Sequence, residues 1–137
     1  MKCSRRVLVV GNYLPDRQQS MLRFADLLLT IYSQSSQVVL VNPPAIIARM
    51  PGLPPVVSKY FAYIDKLLIF PIWLAIRARS FDLVHIADHS NAFYSYCFPR
   101  RKSLVTCHDL LAMRGALGDA ASACEASPIG IWIQRLI

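Results

Sequence analysis

The sequence predicts an α/β fold, a parallel sheet with helices on both of its faces, and three observations carry that prediction. Two short apolar runs, Leu83-Val84-His85-Ile86 and Leu104-Val105-Thr106-Cys107, each end in polar, titratable residues: Asp88-His89-Ser90 after the first, His108-Asp109 after the second. Such tips are where the βα loops of an open sheet converge on a ligand. The opening reads strand, amphipathic helix, strand, a βαβ unit with parallel pairing and a right-handed crossover. Finally, the run 7–10 is apolar at every position, as in a strand covered on both faces.

Taken in order, residues 6–10 form the first strand, and Gly11-Asn12-Tyr13-Leu14-Pro15 the turn after it. Asp16 and Gln19 have the spacing of a capping box, which predicts a helix over 17–32. Its apolar positions Met21, Phe24, Ala25, Leu28, Ile31 and Tyr32 keep the helical period, while Arg23, Asp26 and Thr30 fall elsewhere. Residues 38–41 form the second strand. Five prolines between 42 and 55 then exclude a long helix or a central strand.

Residues 56–79 read as one long apolar helix, kinked at Pro71, whose ring meets the carbonyl of Leu67. The uninterrupted run 67–76 falls short of the roughly 20 residues a membrane span needs. It is read first as a core helix of the sheet layers. The alternative lays it on a membrane surface, with Lys59, Lys66, Arg77 and Arg79 meeting lipid phosphates. The third strand is 83–86, followed by a short aromatic helix over 91–98, a basic turn over 99–102 and a fourth strand over 103–107. A helix is expected from 110, a Gly, Ala and Ser-rich loop over 115–127, and an uncapped apolar segment over 129–137. That uncapped pattern makes residues 1–137 read as a single domain of a longer fold.

An apolar content of 55% with 17% charged residues fits a packed domain rather than a disordered chain. The formal charge of +7 calls for an anionic partner: a nucleotide-activated or lipid phosphate, or an anionic membrane face. The basic residues are dispersed without a nucleic-acid-binding motif, so no nucleic acid is expected. Cys3, Cys97, Cys107 and Cys124 have neither CxxC nor zinc spacing and read as reduced, mostly buried thiols. The N-terminal apolar run is too short for a signal peptide, which favours a cytoplasmic location.

The turn after the first strand lacks both GxGxxG and GxxxxGK[ST], so neither a dinucleotide nor a P-loop cofactor is predicted. His85, inside a strand, reads as a satisfied core residue. His89 and His108 lie beyond strand ends beside Asp88 and Asp109, where a carboxylate can orient an imidazole and hold its tautomer. A metal site from His85, Asp88, His89 and His108 would need neighbours in one turn to converge on an ion, and none is expected. The His-Asp pair also occurs in helical HD-type phosphohydrolases, but here it follows a strand.

Three stretches in this order, NYLPDRQQSMLRFADLL, FDLVHIADHSNAFYSY and SLVTCHDLLAMRG, together resemble the N-terminal domain of GT-B glycosyltransferases. The likeness is to the retaining family 4 group that includes glycogen synthase, and it covers residues 6–115. It implies a Rossmann-like acceptor-side domain, with a second such domain binding the sugar nucleotide across a cleft. On that resemblance His108 is the catalytic histidine touching the transferred sugar, Asp88 with His89 and Asp109 lies on the acceptor side, and Asn12 and Tyr13 occupy the loop that approaches the donor phosphates. The partners implied are a nucleotide-sugar donor and a glycan or lipid-linked acceptor. The family's paired-glycine loop and its ExxxxxxxE-type donor motif do not occur here, so the chain alone is expected to be inactive. The alternative function is a non-catalytic basic α/β module that binds an anionic ligand or a membrane surface.

Overall fold

Alternating side chains decide which helix covers which face of the sheet. The computed structural model describes residues 5–108 and Trp132. The helix expected from 110, the loop over 115–127 and the segment 129–137, apart from Trp132, lie outside the described residues, as do Cys3, Asp109 and Cys124. Strands β1 (Arg6–Val10), β2 (Gln37–Val41), β3 (Leu83–Ile86) and β4 (Ser103–Val105) form one parallel sheet in the order β2-β1-β3-β4. Val7 and Val9 point to the face covered by Ala25 and Leu28 of helix α1 (Gln19–Ser33). Leu8, Val10, Val84 and Ile86 point to the other, where Phe70 and Leu74 of a later helix pack with Tyr94 and Phe98. The architecture is thus Rossmann-like α/β, with helices on both faces. Full burial of a Leu or Phe is worth about 1.5–3 kcal/mol, so these two clusters carry much of the fold's stability.

The segment between β2 and β3 is helical from Pro55 to Ser80: α2 (Pro55–Ile64), a π-helical turn over Asp65–Ile69, α3 (Phe70–Arg77) and a final 3₁₀ turn. Pro71 therefore acts through hydrogen bonding. The N–H of Phe70 reaches back five residues to the carbonyl of Asp65, and the next bond in that register, to the Lys66 carbonyl, would need an N–H that Pro71 lacks. The Tyr94 hydroxyl supplies it, donating to the Lys66 oxygen at 2.9 Å. Burial, with smaller contributions from Cys97 and Asp16, raises the Tyr94 pKa, so the hydroxyl keeps its proton.

Four expectations are corrected. Asp16 does not cap α1: Leu14–Asp16 is a 3₁₀ turn ended by Arg17 at φ 52°, and the helix starts only at Gln19, with no side-chain cap at Gln18. Asp16 pairs instead with Lys66 at 3.0 Å. The aromatic segment is a series of 3₁₀ turns over His89–Cys97 rather than an α-helix over 91–98, because Asp88 starts it early by accepting the Ser90 N–H. Strand β4 ends at Val105, since the Thr106 hydroxyl turns inward to His85 Nε2 at 2.8 Å, although its N–H still bonds the Ile86 carbonyl. Of the described cysteines, Cys97 is half-buried and Cys107 exposed, so the expectation of buried thiols does not hold for Cys107.

The Tyr94 hydroxyl gives a direct test of the π turn. Tyr94→Phe leaves the Lys66 carbonyl without a donor and is expected to cost about 1–3 kcal/mol, measured by urea unfolding. A loss below about 0.5 kcal/mol, the lower end for a net hydrogen bond, would show that another donor serves that carbonyl.

Candidate functional site

The order β2-β1-β3-β4 means that the chain leaves β1 to one side and returns on the other, so the loops after β1 and β3 diverge at their carboxyl ends. Such a reversal opens a crevice at the strand ends of a parallel sheet. Two polar residues bridge it. Asn12 Nδ2 donates to Asp88 Oδ2 at 2.7 Å and also to Gln18 Oε1, while Asn12 Oδ1 accepts from Asn91 Nδ2 at 3.0 Å. Both Asn12 and Asp88 are buried.

Asp88 takes three further contacts: the Ser90 hydroxyl on Oδ2 at 2.7 Å, the Ser90 N–H on Oδ1 at 3.2 Å, and His89 Nδ1 at 3.2 Å from Oδ1. Burial would raise its pKa, but the Ser90 and Asn12 hydrogen bonds and the neighbouring His89 outweigh it and hold the carboxyl below its ordinary value of 3.8. Because the depressed value belongs to the folded state, the stability it lends is full above 3.8 and is lost as the pH falls through the folded pKa. Oδ2 already accepts two bonds, so the remaining accepting capacity is on Oδ1, beside His89.

His89 is buried, and neither ring nitrogen has an aligned hydrogen-bond partner, although Nδ1 lies close to Asp88. A buried polar group in that state calls for an explanation, and here it stands beside an ionised carboxylate at the crevice. His85 contrasts with it: Nδ1 meets the Tyr32 hydroxyl at 2.9 Å and Nε2 the Thr106 hydroxyl, and burial lowers its pKa, so it is the satisfied core histidine the sequence suggests. His108 lies on the surface, its ring edge-on to Phe24 with centroids 4.5 Å apart. Its Nε2 is 3.0 Å from the Ala87 carbonyl, which can only accept, so that nitrogen carries the proton. His108 is thereby tied to the residue that precedes Asp88.

Tyr13 is buried with its hydroxyl unpartnered; burial, then Asp65 and Asp16, raises its pKa, and Lys66 Nζ stands 4.9 Å from the ring centroid. Of the residues expected at the site, Asn12, Asp88 and His89 form one cluster with His108 attached through Ala87; Tyr13 faces a neighbouring cleft, and Asp109 is outside the described residues.

Other residues here escaped the sequence reading. Asn42, at the end of β2, presses its side chain on Gly11, where any Cβ would collide with Asn42 Oδ1 and any larger residue would force that side chain out. Asp65 is fully buried and accepts the N–H groups of Ile46, Ile47 and Ala48 at 3.0–3.1 Å, pinning the proline-rich segment over the sheet's carboxyl end. A carboxylate in an apolar helix looks like a solvated residue in sequence. Only the lack of any other acidic residue between 55 and 80 could have singled it out.

Among the described residues no three potential metal ligands come together, and His85 and His108 already spend ring nitrogens on hydroxyl and carbonyl partners. No described helix is long and apolar enough to cross a membrane. No protein-family model matches the chain, and no curated protein or solved structure matches it either.

Proposed function

We propose that this domain is the acceptor-side half of a glycosyltransferase that moves a sugar from a nucleotide-sugar donor to an acceptor hydroxyl. The observation that carries the reading is the buried pair of an ionised carboxylate, Asp88, and His89, whose ring nitrogens have no aligned hydrogen-bond partner, at the carboxyl ends of β1 and β3. In the transfer, the acceptor oxygen bonds to the anomeric carbon, the bond from that carbon to the diphosphate breaks, and the nucleoside diphosphate leaves while the hydroxyl proton passes to a base. Asp88 Oδ1 and His89 are the groups that would hold and orient the acceptor hydroxyl. His108, held beside the same strand end by its Nε2–H on the Ala87 carbonyl, would accept a hydroxyl of the transferred sugar on Nδ1 and so orient it. The resemblance of the HIADHS and VTCHDLL stretches supports these roles and implies retention of configuration. The donor would come from a second domain, so the reading has this chain inactive alone.

The test is His108→Ala in a protein joining this domain to a donor-binding domain, with transfer or hydrolysis followed from a panel of nucleotide sugars. The expected result is a fall in kcat of about 10²-fold, as for a misplaced substrate, with the melting temperature little changed because the residue is exposed. Turnover within about threefold of wild type, under 1 kcal/mol, or unfolding of the domain, contradicts the assignment.

A second reading, contact with an anionic membrane surface, rests on the outer face of α2 and α3. Tyr60, Ile64, Leu68, Ile72 and Ile76 recur every four residues and are 37–63% exposed, with Trp73 beside them. The acidic residue of that stretch, Asp65, is turned inward, which leaves Lys59, Arg77 and Arg79 to border the stripe. An apolar stripe with basic edges is the pattern of a helix lying in a lipid interface. Co-sedimentation is expected to show binding to anionic vesicles that weakens with salt and falls by about tenfold in Ile72→Ser, the loss of one inserted side chain. Equal binding to neutral and anionic vesicles, or indifference to Ile72→Ser, would count against it.

A further inference from the structure

Beside the crevice, and separate from the Asp88 cluster, a cleft of about 500 Å³ is lined by Tyr13, Arg17, Arg49, Ser58 and Lys59 among others. Three different segments bring its cations together. Arg17 ends the 3₁₀ turn after β1 in a left-handed conformation, φ 52°, which a non-glycine residue rarely adopts and which tends to mark functional positions. Arg49 follows the stretch 46–48 whose amides are bound to the buried Asp65 carboxylate. Lys59 lies on the second turn of α2, whose backbone is joined to the same stretch by the Ser58 hydroxyl donating to the Ala48 carbonyl at 2.7 Å. The 46–49 stretch and α2 are tied to each other, and the three cations line one cleft.

Among the described residues those charges lack a counterion. Asp16, the acidic residue of the lining, is engaged by Lys66, and no described carboxylate lies within ion-pair distance of Arg17, Arg49 or Lys59. The N-terminus of α2 opens on the same cleft with no side-chain cap, adding the positive end of its dipole. Tyr13, a wall of the cleft, has a buried hydroxyl with no hydrogen-bond partner. Like charges gathered around one cleft repel one another until an anion enters. The volume suits a small phosphorylated group, and two guanidiniums can clasp phosphate oxygens in bidentate fashion.

We propose that this cleft binds a phosphate or diphosphate group, held by Arg17, Arg49 and Lys59. The proposal stands apart from the transfer reading, which depends on turnover at His108, so either can fail without the other. The probe is inorganic pyrophosphate, titrated calorimetrically into the chain at fixed ionic strength. Wild type is expected to bind it, and the double variant Arg49→Gln/Lys59→Gln to bind about tenfold more weakly or worse, the loss of charge-assisted hydrogen bonds. Arg77→Gln/Arg79→Gln, which removes the same charge elsewhere, is expected to bind as wild type; both double variants change exposed residues and are checked for unaltered melting. Equal affinity in both double variants, or no binding to wild type at millimolar pyrophosphate, overturns the proposal. With a binding site established, release from phosphatidylglycerol vesicles by pyrophosphate identifies a lipid headgroup as the phosphate's source, and vesicle behaviour indifferent to pyrophosphate identifies a soluble phosphorylated compound.

Discussion

The hydrogen bond from Asn12 to Asp88 is the contact on which the arrangement of the sheet's carboxyl end depends. It joins residues 76 positions apart in sequence, across the place where the strand order reverses. Below it the two strands are joined by backbone hydrogen bonds; above it their loops go separate ways, α1 to one face and the 3₁₀ turns to the other. Asn12 also binds Gln18, at the start of α1, and Asn91, within the turns after β3, so one amide fixes the entrance to both elements. A carboxylate buried there would otherwise carry a large desolvation cost. The bonds from Asn12 and Ser90 offset it and keep Asp88 charged.

Asp65 has a comparable role in the helical layer above the sheet. By accepting three successive amides it stands in for the secondary structure that the prolines between 42 and 55 forbid. To do so the helix must turn its acidic residue inward. The same rotation buries Phe70, Leu74 and Ala78 and leaves Tyr60, Leu68, Ile72 and Ile76 outward. A buried acid and an exposed apolar stripe are thus two results of one helix orientation. The ordering of the 46–48 stretch also sets Arg49 opposite Arg17 and Lys59, so the cationic cleft is a further consequence.

Strands β1 and β3 were legible to the residue because apolar runs with polar tips leave little choice of boundary. His85 was legible too, since a histidine inside such a run has to find partners, and the Tyr32 and Thr106 hydroxyls provide them. Asn12, Asp88 and His89 could be picked out as strand-end residues, but their mutual contacts depend on the reversal of strand order, which spacing does not encode. The capping box failed because Asp16 and Gln19 fit the spacing while Pro15 favours a 3₁₀ turn that takes Asp16 away toward Lys66. The π turn before Pro71 was not legible, because the carbonyl that the proline cannot serve is served by Tyr94, distant in sequence. Arg17, Arg49 and Asp65 were invisible for a shared reason: each gains its meaning from a segment remote from its own.

The central claim, an ionised carboxylate clamped between β1 and β3, is tested most directly by carbon-detected NMR of the Asp88 side chain over an acid titration. The account predicts a midpoint below the ordinary 3.8 in wild type. In Asn12→Ala the midpoint should rise, because one stabilising bond is gone while the burial remains. A wild-type midpoint at or above 3.8, or one unmoved by Asn12→Ala, would contradict it.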